Sequence, residues 1–178
     1  MMCKNKSIAL TGFMGCGKST VGRAVAEKIG FRFIDCDEEI VRKAGMSIPL
    51  IFEKCGEEGF RAVEKTVIAA LAATERAVIA TGGGAVKTAE NIENLKTHSV
   101  IIYLKANPDQ LCKNLQDDYT RPLLIGEIER LQIITTMLND REPLYLTYAD
   151  CIVRVNNKTV AKTAEAVIEA YQRQGGCI

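Results

Sequence analysis

Nine residues near the start of the chain, Gly12-Phe13-Met14-Gly15-Cys16-Gly17-Lys18-Ser19-Thr20, restrict its fold more than any other feature. They spell G-x-x-x-x-G-K-[S/T] and follow the apolar run Ser7-Ile8-Ala9-Leu10-Thr11. A strand, a glycine-rich turn and a helix in that order make a phosphate-binding P-loop. Gly12, Gly15 and Gly17 permit a backbone that turns successive N–H groups inward. The helix opening near Lys18 adds unpaired N–H groups and the positive end of its dipole. Lys18 brings a full charge to the β- and γ-phosphates, and the Ser19 hydroxyl suits Mg²⁺. The alternative is an ordinary glycine-rich strand–helix turn, but the motif is complete and its context is right. It reads as a nucleoside triphosphate site, with Gly15, Cys16, Gly17, Lys18, Ser19 and Thr20 around the phosphates.

At 178 residues the chain has material for one domain with a sizeable core, so residues 1–178 are taken as a single unit. Lys+Arg 23 against Asp+Glu 22 leaves a net charge of +1, which gives no global pull toward nucleic acid or a membrane surface. No apolar stretch approaches membrane-spanning length, and the first residues lack the pattern of a signal peptide. The seven cysteines are odd in number and widely spaced, and His98 is the one histidine. That pattern argues against zinc and against a disulfide framework. Reduced thiols in a cytoplasmic protein are the expectation.

Strands and helices alternate along the chain. Ser7–Thr11, Phe31–Asp35, Ala77–Ala80, Val100–Leu104 and Cys151–Val155 read as strands. Helices are expected over Lys18–Ile29, Asp37–Lys43, Ile48–Lys54, Glu57–Ala73, from Pro108, over Glu127–Leu138 and over Val160–Arg173. Pro143 should interrupt or end the helix that contains it. Asp117–Gly126 is charged and irregular. The whole predicts an α/β fold with a parallel sheet covered by helices on both faces.

Ligands of such sheets bind beyond the carboxyl ends of the strands. Asp35 and Asp37 follow the second strand, which a βαβ unit should bring beside the first. One carboxylate suits a Mg²⁺ water shell and the other an attacking hydroxyl; equally, Asp35 and Glu38 form a common helix start. Thr81-Gly82-Gly83-Gly84 follows another strand, either as a helix-opening turn or as backbone approaching a small ligand. Arg61, Arg121 and Arg141, taken one by one, read as solvated side chains, and Arg61 has Glu57 one turn away. Cys16 is either a thiol activated by the helix dipole or a small side chain at a variable position, and the second reading is favoured.

Taken together, these pieces resemble the shikimate kinase family over essentially the whole chain. The P-loop, Asp35-Cys36-Asp37, Gly56-Glu57-Glu58-Gly59-Phe60-Arg61, Gly82-Gly83-Gly84, Arg121-Pro122-Leu123-Leu124 and Arg141-Glu142-Pro143-Leu144-Tyr145 occur in that order. The resemblance implies a three-layer αβα fold of the nucleoside monophosphate kinase kind. It would have a five-stranded parallel sheet, a P-loop after strand 1, a helical substrate-binding region at about 36–63 and a mobile lid at about 115–127. It implies transfer of the γ-phosphoryl of ATP to the 3-hydroxyl of shikimate, with Mg²⁺, on the route to chorismate and the aromatic amino acids. By the same resemblance Arg61 and Arg141 grip the shikimate carboxylate. Asp37 and the backbone of Gly82, Gly83 and Gly84 bind its hydroxyls, and Lys18, Asp37 and Arg121 carry catalysis. Ser19 and Asp35 hold the metal, Arg121 closes over ATP with the lid, and Lys158 lies near the adenine. A monomer is expected. Where many members carry a basic residue that stacks on adenine, this chain has Asn114, beside Lys113.

Two other readings stay open at this stage. One is another small-molecule kinase of the same fold, such as a gluconate kinase. The other is a nucleotide switch without catalysis, although the N-K-x-D motif of a GTPase is incomplete at Asn157-Lys158-Thr159-Val160.

Overall fold

A computed structural model describes residues 6–116 and 127–178. Five strands, β1 (Ser7–Thr11), β2 (Arg32–Asp35), β3 (Ala77–Ala80), β4 (Ser99–Lys105) and β5 (Cys151–Arg154), form one parallel sheet in the order β2-β3-β1-β4-β5. In the centre Ile8 lies opposite both Val78 and Val100. Every residue of β1 and β3 is buried, and so is all of β4 but its last, Lys105. Burial on both faces explains their unbroken apolar sequences. The helices are α1 (Lys18–Ile29), α2 (Cys36–Ala44), α3 (Ile48–Ala72), α4 (Ala89–His98), α5 (Pro108–Asn114), α6 (Glu127–Tyr148) and α7 (Val160–Arg173). Across the sheet's flanks α1 packs on α7, α3 on α2 and α4, and α5 on α6. No helix among the described residues is long and apolar enough to cross a membrane.

The structure departs from the sequence expectations in four places. β2 does not lie beside β1, because β3 is inserted between them. Arg32 and Asp35 put polar residues at both ends of β2, which suits an edge, whereas Ala77–Ala80 is wholly apolar and takes a central place. Helix α4 was not expected; only Ile92, Leu95 and Asn91 are buried on it, too short a stripe to show a period. As expected, two helices meet at Gly56 within the span of α3, with a break in helical backbone there, where φ is 66° and ψ −172°. Helix α6 runs through Pro143 to Tyr148. The lost backbone bond is outweighed by the packing of Tyr145, which is fully buried, and the Thr147 hydroxyl donates to the Pro143 carbonyl at 2.7 Å. Finally, Cys177 is disulfide-bonded, against the expectation of reduced thiols, whereas Cys16, Cys36, Cys55, Cys112 and Cys151 are free. Cysteine spacing carries no information on how chain ends meet, and here the Tyr171 hydroxyl bonds to both the Lys6 and the Cys177 carbonyls.

Candidate active site

The carboxyl ends of β1, β2 and β3 open into one cleft of about 960 Å³. The P-loop forms its floor. Gly12, Gly15 and Gly17 have φ of 144°, 79° and 91°, a region side chains avoid. Gly12 also has no room: a Cβ there would stand 2.7 Å from the Leu104 carbonyl oxygen and 2.8 Å from Cys16 Sγ. Cys16 is itself buried, so it serves as a small packing residue of the loop, as favoured above. Lys18 Nζ folds back on the loop and donates to the carbonyls of Gly12 at 2.8 Å and Phe13 at 3.0 Å. Its charge is thereby held over the concave face where phosphate oxygens would lie.

Asp35 serves two partners at once, and the first of them is the expected helix start. Its Oδ1 accepts from the Asp37 N–H at 2.9 Å and caps α2. Its Oδ2 accepts from Ser19 Oγ at 2.6 Å. One hydroxyl and one carboxylate, two hard oxygen donors side by side at the phosphate floor, match what Mg²⁺ takes from a protein when phosphates and water supply the rest. Cys36, between the two aspartates, is fully buried, and burial followed by the charges of Asp37 and Asp35 pushes its thiol well up. It is inert packing.

The glycine run after β3 packs directly on the P-loop. A Cβ on Gly83 would lie 3.3 Å from the Met14 backbone nitrogen, and one on Gly84 only 2.5 Å from Arg61 Nη2. The run is therefore both the turn into the short 3-10 turn Ala85–Lys87 and a close backbone approach. Arg61 reaches it from α3. Its better partner is not Glu57, 3.3 Å away, but Glu64, whose Oε2 lies 2.7 Å from Nη1. Glu64 is 1% exposed, and its other oxygen, Oε1, has no hydrogen-bond partner. Burial raises its pKa, opposed by Arg61 and reinforced by Asp37. Arg141 comes from α6, with its guanidinium 5.5 Å from the Phe13 ring centroid and its charge near enough to Tyr145 to oppose the effect of burial on that hydroxyl. Asp37, Arg61, Arg141 and Gly82–Gly84 thus face Lys18 and Ser19 across one cleft. Phe52 and Phe60, stacked at 4.6 Å, add an apolar wall.

At the other end of the cleft stand Gln110, Asn114, Val155 and Lys158. A chain of amides crosses it. The Asn157 N–H donates to Gln110, Gln110 to Asn114 at 2.9 Å, and Asn114 to the Gly15 carbonyl at 2.8 Å. Arg121 and most of the expected lid lie outside the described residues.

The shikimate kinase family model matches residues 14–172. The chain belongs to the shikimate kinase family. A shikimate kinase from Caldanaerobacter subterraneus subsp. tengcongensis is 45% identical over 171 residues, which is 96% of this chain and 99% of that protein. The structure of a shikimate kinase from Acinetobacter baumannii in complex with shikimate superimposes with a TM-score of 0.87 at 38% identity, over 95% of this chain and 94% of that one. A gluconokinase from Sinorhizobium meliloti is also similar, with a TM-score of 0.62 over 96% of this chain and 94% of that one, but at 20% identity that likeness is one of fold alone.

Sequence reasoning named the P-loop, Asp35, Asp37, Arg61, the glycine run, Arg141 and Lys158, all of which line the cleft, but gave no site role to Glu64, Phe52, Phe60 or Gln110, which line it too. The signal for Glu64 was present: it lies three residues after Arg61 on one helix, on the face of the buried Phe60 and Val67. A charged residue on an apolar face is a candidate partner. Asn114, expected where many members carry a basic residue, lines the cleft and donates to the Gly15 carbonyl of the P-loop.

Proposed function

We infer that this ATP-dependent kinase moves the γ-phosphoryl group of ATP to the 3-hydroxyl of shikimate, giving shikimate 3-phosphate and ADP, on the route to chorismate and the aromatic amino acids. One observation carries the reading: two arginines, a carboxylate and a glycine run share a cleft with the P-loop lysine and serine. Planar guanidinium groups suit a carboxylate, so Arg61 and Arg141 are assigned to that end of the substrate. The backbone of Gly82–Gly84 and the Asp37 carboxylate take its hydroxyls. Fixing both ends aims one hydroxyl at the terminal phosphate, and positioning supplies most of the catalysis in phosphoryl transfer.

Asp37 orients that hydroxyl and accepts its proton. Lys18, released from the Gly12 and Phe13 carbonyls, offsets charge on the phosphate oxygens. Ser19 and Asp35 would hold Mg²⁺, which when bound neutralises phosphate charge. Gly15–Thr20 contact the phosphates, and Lys158 lies toward the base. Arg121 is assigned to the lid, with the substrate-binding region at about 36–63 and the lid at about 115–127 of a single domain at 1–178. A cytoplasmic monomer is the setting we propose.

The test is ADP release from purified protein with ATP and Mg²⁺, with shikimate, with gluconate and with neither. Release that requires shikimate supports the reading. Release with gluconate alone moves the substrate, and release with neither overturns the kinase assignment.

A further inference from the structure

Among the described residues, Glu64 is the one carboxylate of the cleft that the proposed chemistry leaves without a task. Its side chain is 1% exposed, and Oε1 has no hydrogen-bond partner. A buried carboxylate oxygen without a donor is costly, and native structures seldom leave one without a reason. The atom points toward the substrate region: Glu64 Oε1 and Asp37 Oδ1 both stand 3.1 Å from where a Gly82 Cβ would be. Only glycine leaves the space between them open.

Few charges face this carboxylate. From its own helix α3, Arg61 pairs with Oε2 at 2.7 Å. From α2, Asp37 repels it, and from α4 the Asn91 amide favours its charged form, while that amide's Nδ2 donates to the Ala85 carbonyl and its buried Oδ1 also lacks a partner. Arg141 and Lys18 line the cleft beyond. Arg61 is already shared, since Glu57 takes its Nε and Nη2 at 3.4 and 3.3 Å. A substrate carboxylate on Arg61 becomes a third claimant on that guanidinium. It also adds a negative charge to a site that holds Asp37 and Glu64. Crowded carboxylates do not all stay ionised, and the most buried one gives way by binding a proton. A proton on Oε1 also turns an acceptor-only atom into a donor, able to bond a substrate hydroxyl or Asp37.

We propose that Glu64 takes up a proton from solvent at Oε1 when the anionic substrate binds, and that the neutral acid is a positioning residue for the substrate hydroxyls. The inference rests on shikimate as substrate. Binding then raises the Glu64 pKa, so affinity is greatest at low pH. It falls as pH rises from the free-state value to the bound-state value, by up to about tenfold per pH unit.

Calorimetric titration of the full chain with shikimate tests this, at matched pH between about 6 and 8 in buffers of different ionisation enthalpy. The expected result is a binding heat that varies with buffer and reports uptake approaching one proton per shikimate, and Glu64→Gln should bind without uptake. Binding with no uptake in the wild type overturns the proposal, as does equal uptake in Glu64→Gln, which would assign the proton to another group. Absence of any shikimate binding instead overturns the substrate reading on which the proposal rests. Should Glu64→Gln fail to fold, infrared difference spectra of the wild type and of Glu64→Asp decide. A protonated carboxyl band should appear on binding and shift in Glu64→Asp. No such band, or one that the substitution leaves unmoved, overturns the proposal.

Discussion

The Tyr145 hydroxyl of α6 donates to the Gly83 carbonyl of the glycine run. Tyr145 is fully buried and stacks on Tyr103 with ring centroids 4.9 Å apart. Burial above all pushes its hydroxyl well above the ordinary phenol range, so it remains a neutral donor. The bond joins the helix that carries Arg141 to the backbone assigned to the substrate hydroxyls. Tyr145→Phe keeps the stack and removes the bond. It should cost about 1 kcal/mol in urea unfolding. It should raise the shikimate KM severalfold and leave the ATP KM near normal. An unchanged shikimate KM would show that the link between α6 and the glycine run is structural only.

Asp35 and Ser19 allow the metal role to be separated from the helix cap. Asp35→Asn retains a capping oxygen, since asparagine caps as well as aspartate does. It loses the charge beside Ser19 Oγ. Ser19→Ala leaves the Asp35–Asp37 cap intact and removes the hydroxyl. Both variants should unfold within about 1 kcal/mol of the wild type and need several times more Mg²⁺ for half-maximal turnover. A Mg²⁺ requirement unaltered in both would rule out this pair as the metal's protein ligands.

Gly84 sets the position of Arg61. A methyl group there would meet Nη2 at 2.5 Å and Nη1 at 2.9 Å, both at the far end of a flexible side chain. The backbone φ of −99° accepts alanine without strain. Gly84→Ala should therefore fold with a loss within about 1 kcal/mol while displacing the guanidinium. Shikimate kcat/KM should fall at least tenfold. Nearly normal kinetics would mean that Arg61 does not hold the substrate in the position seen here.

Much of this arrangement was legible in the sequence because it is local. The P-loop, the Asp35 cap and the helix starts depend on spacings of a few residues, and those survived in the fold. Strand order was not legible, since the place of β3 depends on which strand is apolar enough for the centre. Pro143 misled for a related reason: its local cost is outweighed by the buried Tyr145 two residues later. The Arg61–Glu57 pair was readable by helical spacing and is real, yet the stronger partner is Glu64, equally near in sequence. Burial separates the two, and burial is a tertiary property: Glu57 is exposed and Glu64 is not.

Removing Arg61 should expose that difference through pH. Arg61 lowers the Glu64 pKa, against burial, which has already raised it. In Arg61→Ala the folded-state pKa rises further above the unfolded value. The folded state then binds more protons than the unfolded state between those two values, so stability falls as pH rises through that window. Below the unfolded value Glu64 is protonated in both states, and the substitution costs little through this residue. Above the window the carboxylate is buried with no cation. Fully buried pairs broken in this way lose about 3–5 kcal/mol, and because the Arg61 side chain is 22% exposed the loss here should be smaller, about 2–3 kcal/mol near pH 8. Glu57 contributes in the opposite direction. Lys87 first, then Arg61, holds its pKa low, so its share of stability is present above the unfolded value and lost as pH falls. Glu57 is common to all variants, so a double-mutant cycle of Arg61→Ala with Glu64→Gln, measured by urea unfolding at about pH 5 and pH 8, isolates the buried pair. The coupling should be large at pH 8 and small at pH 5. Equal coupling at the two pH values would mean that Glu64 keeps one protonation state across the range.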